Sequence, residues 1–251
     1  MSAARGPVVF MHMAKTAGSS VNAWMVAALG ADACAFHVER FPPARRMELA
    51  RTKAFVSGHV YAREALALAA ARPGGYAFTA MRTPLEQVAS HLRWLDGYAT
   101  AARAAERAAL GAPLRGLVDR IGATDLRDPE ALDELMAHLP PWGLRMLDNM
   151  QARYLSAEDG AVPLTLRHAR AAAERAAGFD RVLRAEALGA GLGAVARDLG
   201  LPPPPAAPRE NAAAAGRAVD LSEPLVRLAL SRRILIDRVA HAAIVGRGGA
   251  A

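Results

Sequence analysis

The chain has 251 residues, 53% of them hydrophobic, with 31 basic against 24 acidic side chains and a formal charge of +7. That length suits one α/β domain or two small ones, and the single cysteine, Cys34, excludes intrachain disulfides and a cysteine-based metal cluster. No secretory leader is visible and no apolar run of about 18 residues is free of polar breaks, so the expected setting is cytoplasmic with no membrane span.

Met1 to Pro7 reads as a short leader. Val8-Val9-Phe10-Met11 is a buried strand, and Gly18, Ser19 and Ser20 open a helix running through Val21, Trp24 and Met25 to about Leu29, where Gly30 stops it. The turn between them carries Lys15. A strand, a short turn and a helix start together favour a bound phosphate or sulfate, because the first N–H groups of a helix and its dipole face the turn. Gly18 lets the backbone come close. Thr16, Ser19 and Ser20 offer hydroxyls and Lys15 a compact positive charge. Of the 31 basic residues only Lys15 and Lys53 are lysine. The spacing is not that of a Walker A loop, since Lys15 precedes the glycine.

Ala31 to Pro43 reads as irregular, and a polar helix covers Ala44 to Arg51. Ala54 to His59 is a second strand ending on Gly-His, followed by a helix over about Arg63 to Ala71. Tyr76 to Met81 is a third strand with Arg82 at its end. Thr83 can cap the next helix with Pro84 at its first position. That helix carries Leu85, Val88, Leu92 and Leu95 on one apolar stripe.

The stretch from Tyr98 to Leu139 reads as wholly helical, with pieces over Thr100–Leu110, Leu114–Ile121 and from Asp128 to Pro140. This insertion, about 98–145, is either a helical cover shaping an acceptor pocket or plain packing. Trp142 to Leu155 continues helical, as does Leu166 to Ala177. Asp180 to Arg184 is a fourth strand and Ala185 to Leu199 a helix stopped by Gly200. Pro202 to Pro205 form a stiff turn, Ser222 caps a final helix to Val245, and 246–251 are a frayed tail.

Strands separated by helices indicate a parallel sheet covered by helices, whose ligands sit at the C-terminal strand ends. Lys15, His59 and Arg82 each follow a strand, so all three belong on one rim. A neutral imidazole at His59 can take a proton from an attacking hydroxyl; a structural role is the alternative, His91, inside a helix next to Ser90, is a rival, and His12 at the end of the first strand reads as orienting the loop. Arg82 stands beside a helix start and Ser90, eight residues on, two turns into that helix; the pair can grip a second phosphate or simply serve surface and packing. The scattered arginines fit a polyanionic partner or a solvated surface equally.

Taken together these residues resemble the nucleotide-binding elements of the sulfotransferases, in particular the sulfotransferase family 2 group of heparan sulfate 2-O-sulfotransferase-like enzymes. Phe10 to Ser20 is similar to that family's Phe-x-His-x-x-Lys-x-x-Gly-Ser/Thr-Ser loop for the 5′-phosphosulfate. Ser57-Gly58-His59-Val60-Tyr61 resembles its Gly-His segment. Met81-Arg82-Thr83-Pro84 with Ser90 is similar to its Arg-Asp-Pro…Ser 3′-phosphate motif, and Asp148 to Leu155 to its Asn-x-Gln-x-Arg-Tyr-Leu stretch. Weaker similarities lie at Phe179 to Glu186 and at Asn211. Thr83 replaces the family's acidic residue, and Gln87 stands where another arginine is frequent.

The resemblance implies a single α/β domain, a P-loop-NTPase-like parallel sheet flanked by helices with the helical insertion. It implies 3′-phosphoadenosine 5′-phosphosulfate (PAPS) as donor. Lys15 then meets the bridging oxygen, Thr16, Ala17, Gly18, Ser19 and Ser20 hold the 5′-phosphosulfate, Arg82 and Ser90 hold the 3′-phosphate, and His59 is the base. No metal is required. The acceptor is a hydroxyl, expected on a carbohydrate such as an acidic glycan; nucleic acid is not expected. The competing readings are a P-loop-type kinase, which the missing Walker A and magnesium-holding acids oppose, and a non-enzymatic nucleotide- or nucleic-acid-binding protein.

Overall fold

The computed structural model describes residues 6–157, 160, 162–204 and 219–248. Five parallel strands form its sheet: β1 (Val8–Met11), β2 (Cys34–Ala35), β3 (Phe55–Gly58), β4 (Tyr76–Met81) and β5 (Arg181–Arg184), in the order β2-β3-β1-β4-β5. Short apolar runs buried on both faces are what a helix-covered parallel sheet demands. Alternation along β1 sorts its side chains. Val8 and Phe10 join Phe55, Phe78 and Ala80 under helices α1 (Gly18–Leu29) and α11 (Leu188–Leu199). Val9 and Met11 join Val56, Ala77 and Met81 on the other face, under α2 (Pro43–Thr52), α3 (Ala62–Ala69), α9 (Met150–Ser156), α10 (Leu166–Ala176) and α13 (Leu235–Gly248). Phe10, Phe55 and Phe78 are wholly buried, each worth roughly 1.5–3 kcal/mol over exposure.

A third apolar cluster lies away from the sheet. There α4 (Pro84–Gly97), α6 (Ala112–Ala123), α7 (Pro129–Ala137), α8 (Pro141–Leu147) and α12 (Pro224–Ser231) gather Leu92, Leu95, Val118, Ile121, Leu135 and Leu230. The inserted helices therefore share their core with α4 and with α12 from the C-terminal part of the chain.

Several elements differ from the sequence expectation. The segment taken as irregular contains β2, two residues too short to show an alternating pattern, between two 3-10 turns. Trp142 to Leu155 is not one helix: Asp148 and Asn149 break it, Asn149 standing at φ 47. The final helix is likewise two, α12 and α13, and Glu223 rather than Ser222 caps its start by accepting the Leu225 N–H. Ser222 instead donates to Asp220. Thr100–Leu110 shrinks to a 3-10 turn and the five-residue helix α5 (Ala104–Ala108). Thr83 makes no cap; its hydroxyl donates to Glu186. Helix α13 runs on through Gly248, whereas 249–251, Asn211, Pro205 and 1–5 lie outside the described residues.

The register aligns the C-terminal edge of the sheet. Met11 at the end of β1 pairs with Gly58 of β3 on one side and Thr79 of β4 on the other. The turn after β1, His59 after β3 and Arg82 after β4 thus leave three adjacent strands at their common C-terminal edge.

Candidate functional site

The turn from His12 to Ala17 is strained. Lys15 (φ 65) and Ala17 (φ 75) are left-handed, while Thr16 and Gly18 are not. Each left-handed non-glycine residue costs roughly 1–2 kcal/mol, a burden that surrounding structure sustains where geometry matters. Alternating handedness turns successive N–H groups toward one concavity, a nest for an anion. Ala17 at the N-cap makes no side-chain cap of α1, and a backbone bond runs from Val21 N–H to the Ala17 carbonyl. The helix start and the nest therefore present their positive ends together.

Other parts of the chain brace this turn from behind. The Thr16 hydroxyl is buried and donates to the Met13 carbonyl at 2.9 Å, so it serves the turn rather than pointing outward. Gln87 donates from Nε2 to the Ala14 carbonyl at 3.3 Å. A Cβ at Gly18 would lie 1.8 Å from Nε2 of His12; glycine is needed there to seat the imidazole. Ser19 is exposed and Ser20 half-buried at the helix start.

Positive charge gathers in front of the turn. Lys15 Nζ sits 5.9 Å from the centre of the Trp94 ring. Burial, then the fields of Arg82, Arg93 and Arg103, push its pKa below the usual lysine value. Among the described residues no carboxylate pairs with Lys15. Arg93 has its Nε buried without a partner. Arg103 stacks on Tyr98 at 3.4 Å and pairs with Glu106 at 2.6 Å. Arg82 keeps one half-exposed contact, to Glu86 at 3.2 Å. Ser90 lies half-buried on α4, and its hydroxyl makes no hydrogen bond among the described residues; helical spacing puts it on one stripe with Glu86 and Arg93.

Sequence reasoning missed Arg93 and Arg103. Arg93 was findable, three residues beyond Ser90. Arg103 had no local signal, because only the fold of the segment after α4 brings it near Lys15. A cavity of about 420 Å³ is lined by Thr83, Pro84, Leu85, Arg227, Arg238 and His241.

Imidazoles line the opposite flank. His12 stacks on Phe10 (5.6 Å) and on His59 (4.3 Å), and His37 lies 6.1 Å beyond His59. Burial, helped by His59, His37 and Lys15, pulls the His12 pKa down to about 3. His59 is also depressed, chiefly by burial, with Glu39 opposing. Burial thus favours the neutral imidazole at His59. Its Nδ1 lies 2.6 Å from the His12 carbonyl, so Nδ1 carries the proton and Nε2 keeps a free lone pair. His91, the rival, is buried in α4 beside Lys15. Its pKa is down at about 3 through burial and the fields of Lys15 and His59, although the nearby Met146 carbonyl favours its proton.

The stretch Asp148 to Leu155 is scaffolding for this edge. Asn149 Oδ1 accepts the N–H groups of Ile236 (2.8 Å) and Asp237 (3.0 Å), capping α13. Asp237 returns the favour to α9 by accepting from Gln151 N–H (3.3 Å) and Ala152 N–H (2.6 Å). Arg153, 2% exposed, pairs with Asp148 at 2.6 Å. Gln151 grips the backbone of Arg82. Glu186 accepts both the N–H and the hydroxyl of Thr83 at 2.6 Å.

No protein-family model matches the chain, and neither a curated protein nor a solved structure matches it.

Proposed function

We propose that this protein is a PAPS-dependent sulfotransferase acting on a hydroxyl acceptor, on a P-loop-like sheet. The observation that carries the reading is the company of Lys15: a strained nest, a helix start and the fields of three arginines meet there, and among the described residues no carboxylate answers Lys15. Like charges held together this way destabilise the empty protein, and a multiply charged anion relieves them. A bisphosphorylated nucleotide bearing a sulfuryl group is such an anion.

In this reading the nest amides from Thr16 to Ser20 hold the 5′-phosphosulfate. Arg82 and Ser90, with Arg93 beside them, hold the 3′-phosphate. His59 Nε2 takes the proton of the acceptor hydroxyl as that oxygen forms its bond to sulfur. The S–O bond to the 5′-phosphate breaks in line, and Lys15 meets the charge growing on the departing oxygen. The product pair is a sulfate ester and 3′-phosphoadenosine 5′-phosphate (PAP), with the proton left on His59. Sulfuryl transfer, like phosphoryl transfer, is loose in its transition state, so positioning and electrostatics supply most of the rate. These groups perform the reaction without a metal.

The acceptor is proposed to be a carbohydrate hydroxyl. Incubation with sulfur-labelled PAPS and a panel of oligosaccharides tests this: label should enter an acid-labile sulfate ester, and PAP should accumulate in equal amount. Nucleotide turnover without label transfer would remove the activity.

A further inference from the structure

We infer that His37, Glu39 and His59 form a site for a divalent transition-metal ion of the zinc class. One nitrogen from each histidine and one oxygen of Glu39 lie within 4.8 Å of one another. Two imidazoles and a carboxylate are borderline donors, suited to zinc, cobalt, nickel or copper rather than magnesium or calcium. Three protein ligands leave a fourth position open.

One separation already has the length that ligation requires. His37 Nδ1 and Glu39 Oε1 are 3.3 Å apart. A charged N–H···O bond closes to about 2.7–2.9 Å. Two ligands about 2.1 Å from a tetrahedral zinc stand about 3.4 Å apart. The third donor, on His59, lies within 4.8 Å of the other two, and small side-chain rotations close the set.

The surroundings are those a metal site needs. His59 donates Nδ1–H to the His12 carbonyl, which fixes the ring and leaves Nε2 as the ligand atom. Glu39 is tied by Oε2 to the backbone N–H of His59 at 2.9 Å, leaving Oε1 to face His37. The absent side chain of Gly58 makes room: a Cβ there would lie 2.7 Å from Glu39 Oε2. His37 holds a left-handed backbone, φ 52, and its side chain is 47% exposed, which gives the ion an entry path. Arg40 and Arg46 flank the group, but Arg46 is committed to Glu64 and the Glu39 carbonyl.

A consequence rests on the proposed sulfuryl transfer. The His59 lone pair that binds the ion is the one that would take the acceptor proton, so the metal blocks the base and inhibits.

The test is metal uptake by the purified full chain, stripped with chelator, using zinc in competition with a chromophoric chelator, and cobalt followed by its visible absorption. One equivalent should bind with a dissociation constant of micromolar or below. His37→Ala, at an exposed position, should weaken binding at least tenfold and lose the tetrahedral cobalt spectrum. Failure to take zinc from the chelator, or equal uptake by His37→Ala, overturns the site. Neither arm uses turnover, so both stand if the chain transfers no sulfuryl group. Where transfer is measurable, zinc should suppress it in the parent and not in His37→Ala.

Discussion

Gln151 holds Arg82 by both of its backbone groups: Arg82 N–H donates to Gln151 Oε1 at 2.9 Å, and Gln151 Nε2 donates to the Arg82 carbonyl at 2.8 Å. A side chain on α9 thus completes the backbone bonding of β4 where the sheet has run out. Gln151 is itself wholly buried and its helix is capped from α13. Arg82 is therefore positioned by a relay that begins 155 residues away in sequence, at Asp237.

Gln151→Ala should cost about 1–3 kcal/mol, because it leaves two sheltered backbone groups unpaired. Urea unfolding reads that loss. In urea-free buffer the folded variant should bind PAP more weakly, since Arg82 loses its fixed origin. Unchanged stability together with unchanged PAP affinity would mean that the relay positions nothing.

Lys15→Gly should separate stability from function. Glycine accepts φ 65 without the roughly 1–2 kcal/mol left-handed penalty, and the variant also removes repulsion from Arg82, Arg93 and Arg103. Its melting temperature should rise. Transfer should fall by a factor of roughly 10² or more, the scale of one lost transition-state donor. A fall in melting temperature would show that Lys15 holds the turn together rather than straining it.

His59→Ala should depress turnover while PAP affinity stays within about threefold, the margin of small rearrangements. The parent's rate should lose its base form only on the acid side, below pH about 6.5, because burial lowers the His59 pKa from its ordinary value. A large loss of PAP affinity would make His59 a binding residue instead.

Asp237 gives a pH test of the scaffold. Burial and the neighbouring Asp148 push its pKa up to about 7, against the Gln151 and Ala152 N–H groups and Arg153. The folded state then holds a proton that the unfolded chain releases near pH 3.8, so this group's contribution to stability falls as pH rises from about 4 to 7. His12 and His91 act oppositely: both are held near 3, and each loses stability as pH falls below about 6.5. Asp237→Asn keeps one acceptor oxygen and carries no titrating proton; it loses one of the two N–H bonds, a cost that does not vary with pH, and so removes only the first pH dependence. Between pH 5 and 8 the parent should lose stability relative to Asp237→Asn in urea titrations. Parallel curves would mean that Asp237 is ionised throughout.

The sequence carried the strand–turn–helix around Lys15 because each part is local: an apolar run, a glycine, a hydroxyl pair. Tyr76–Met81 and Gly18–Leu29 were legible at both ends for the same reason. What it did not carry was long-range. The break at Asn149 exists because α13 supplies amides for its side chain, and the break near Arg233 exists because Asn149 N–H donates to the Arg233 carbonyl at 2.6 Å. Neither is visible in a hydrophobic period. Thr83 looked like a cap because its partner, Glu186, lies 103 residues away. Arg103 joined the cation cluster through folding alone.

The central claim is that the edge formed by Lys15 and Arg82 recognises two phosphate-type groups on one adenosine. Isothermal calorimetry with PAP, AMP and ATP, without magnesium, tests it most directly. PAP should bind at least tenfold more tightly than AMP or ATP, and Arg82→Ala should erase most of that preference. Equal affinity for PAP and AMP, or a preference that survives Arg82→Ala, would contradict it.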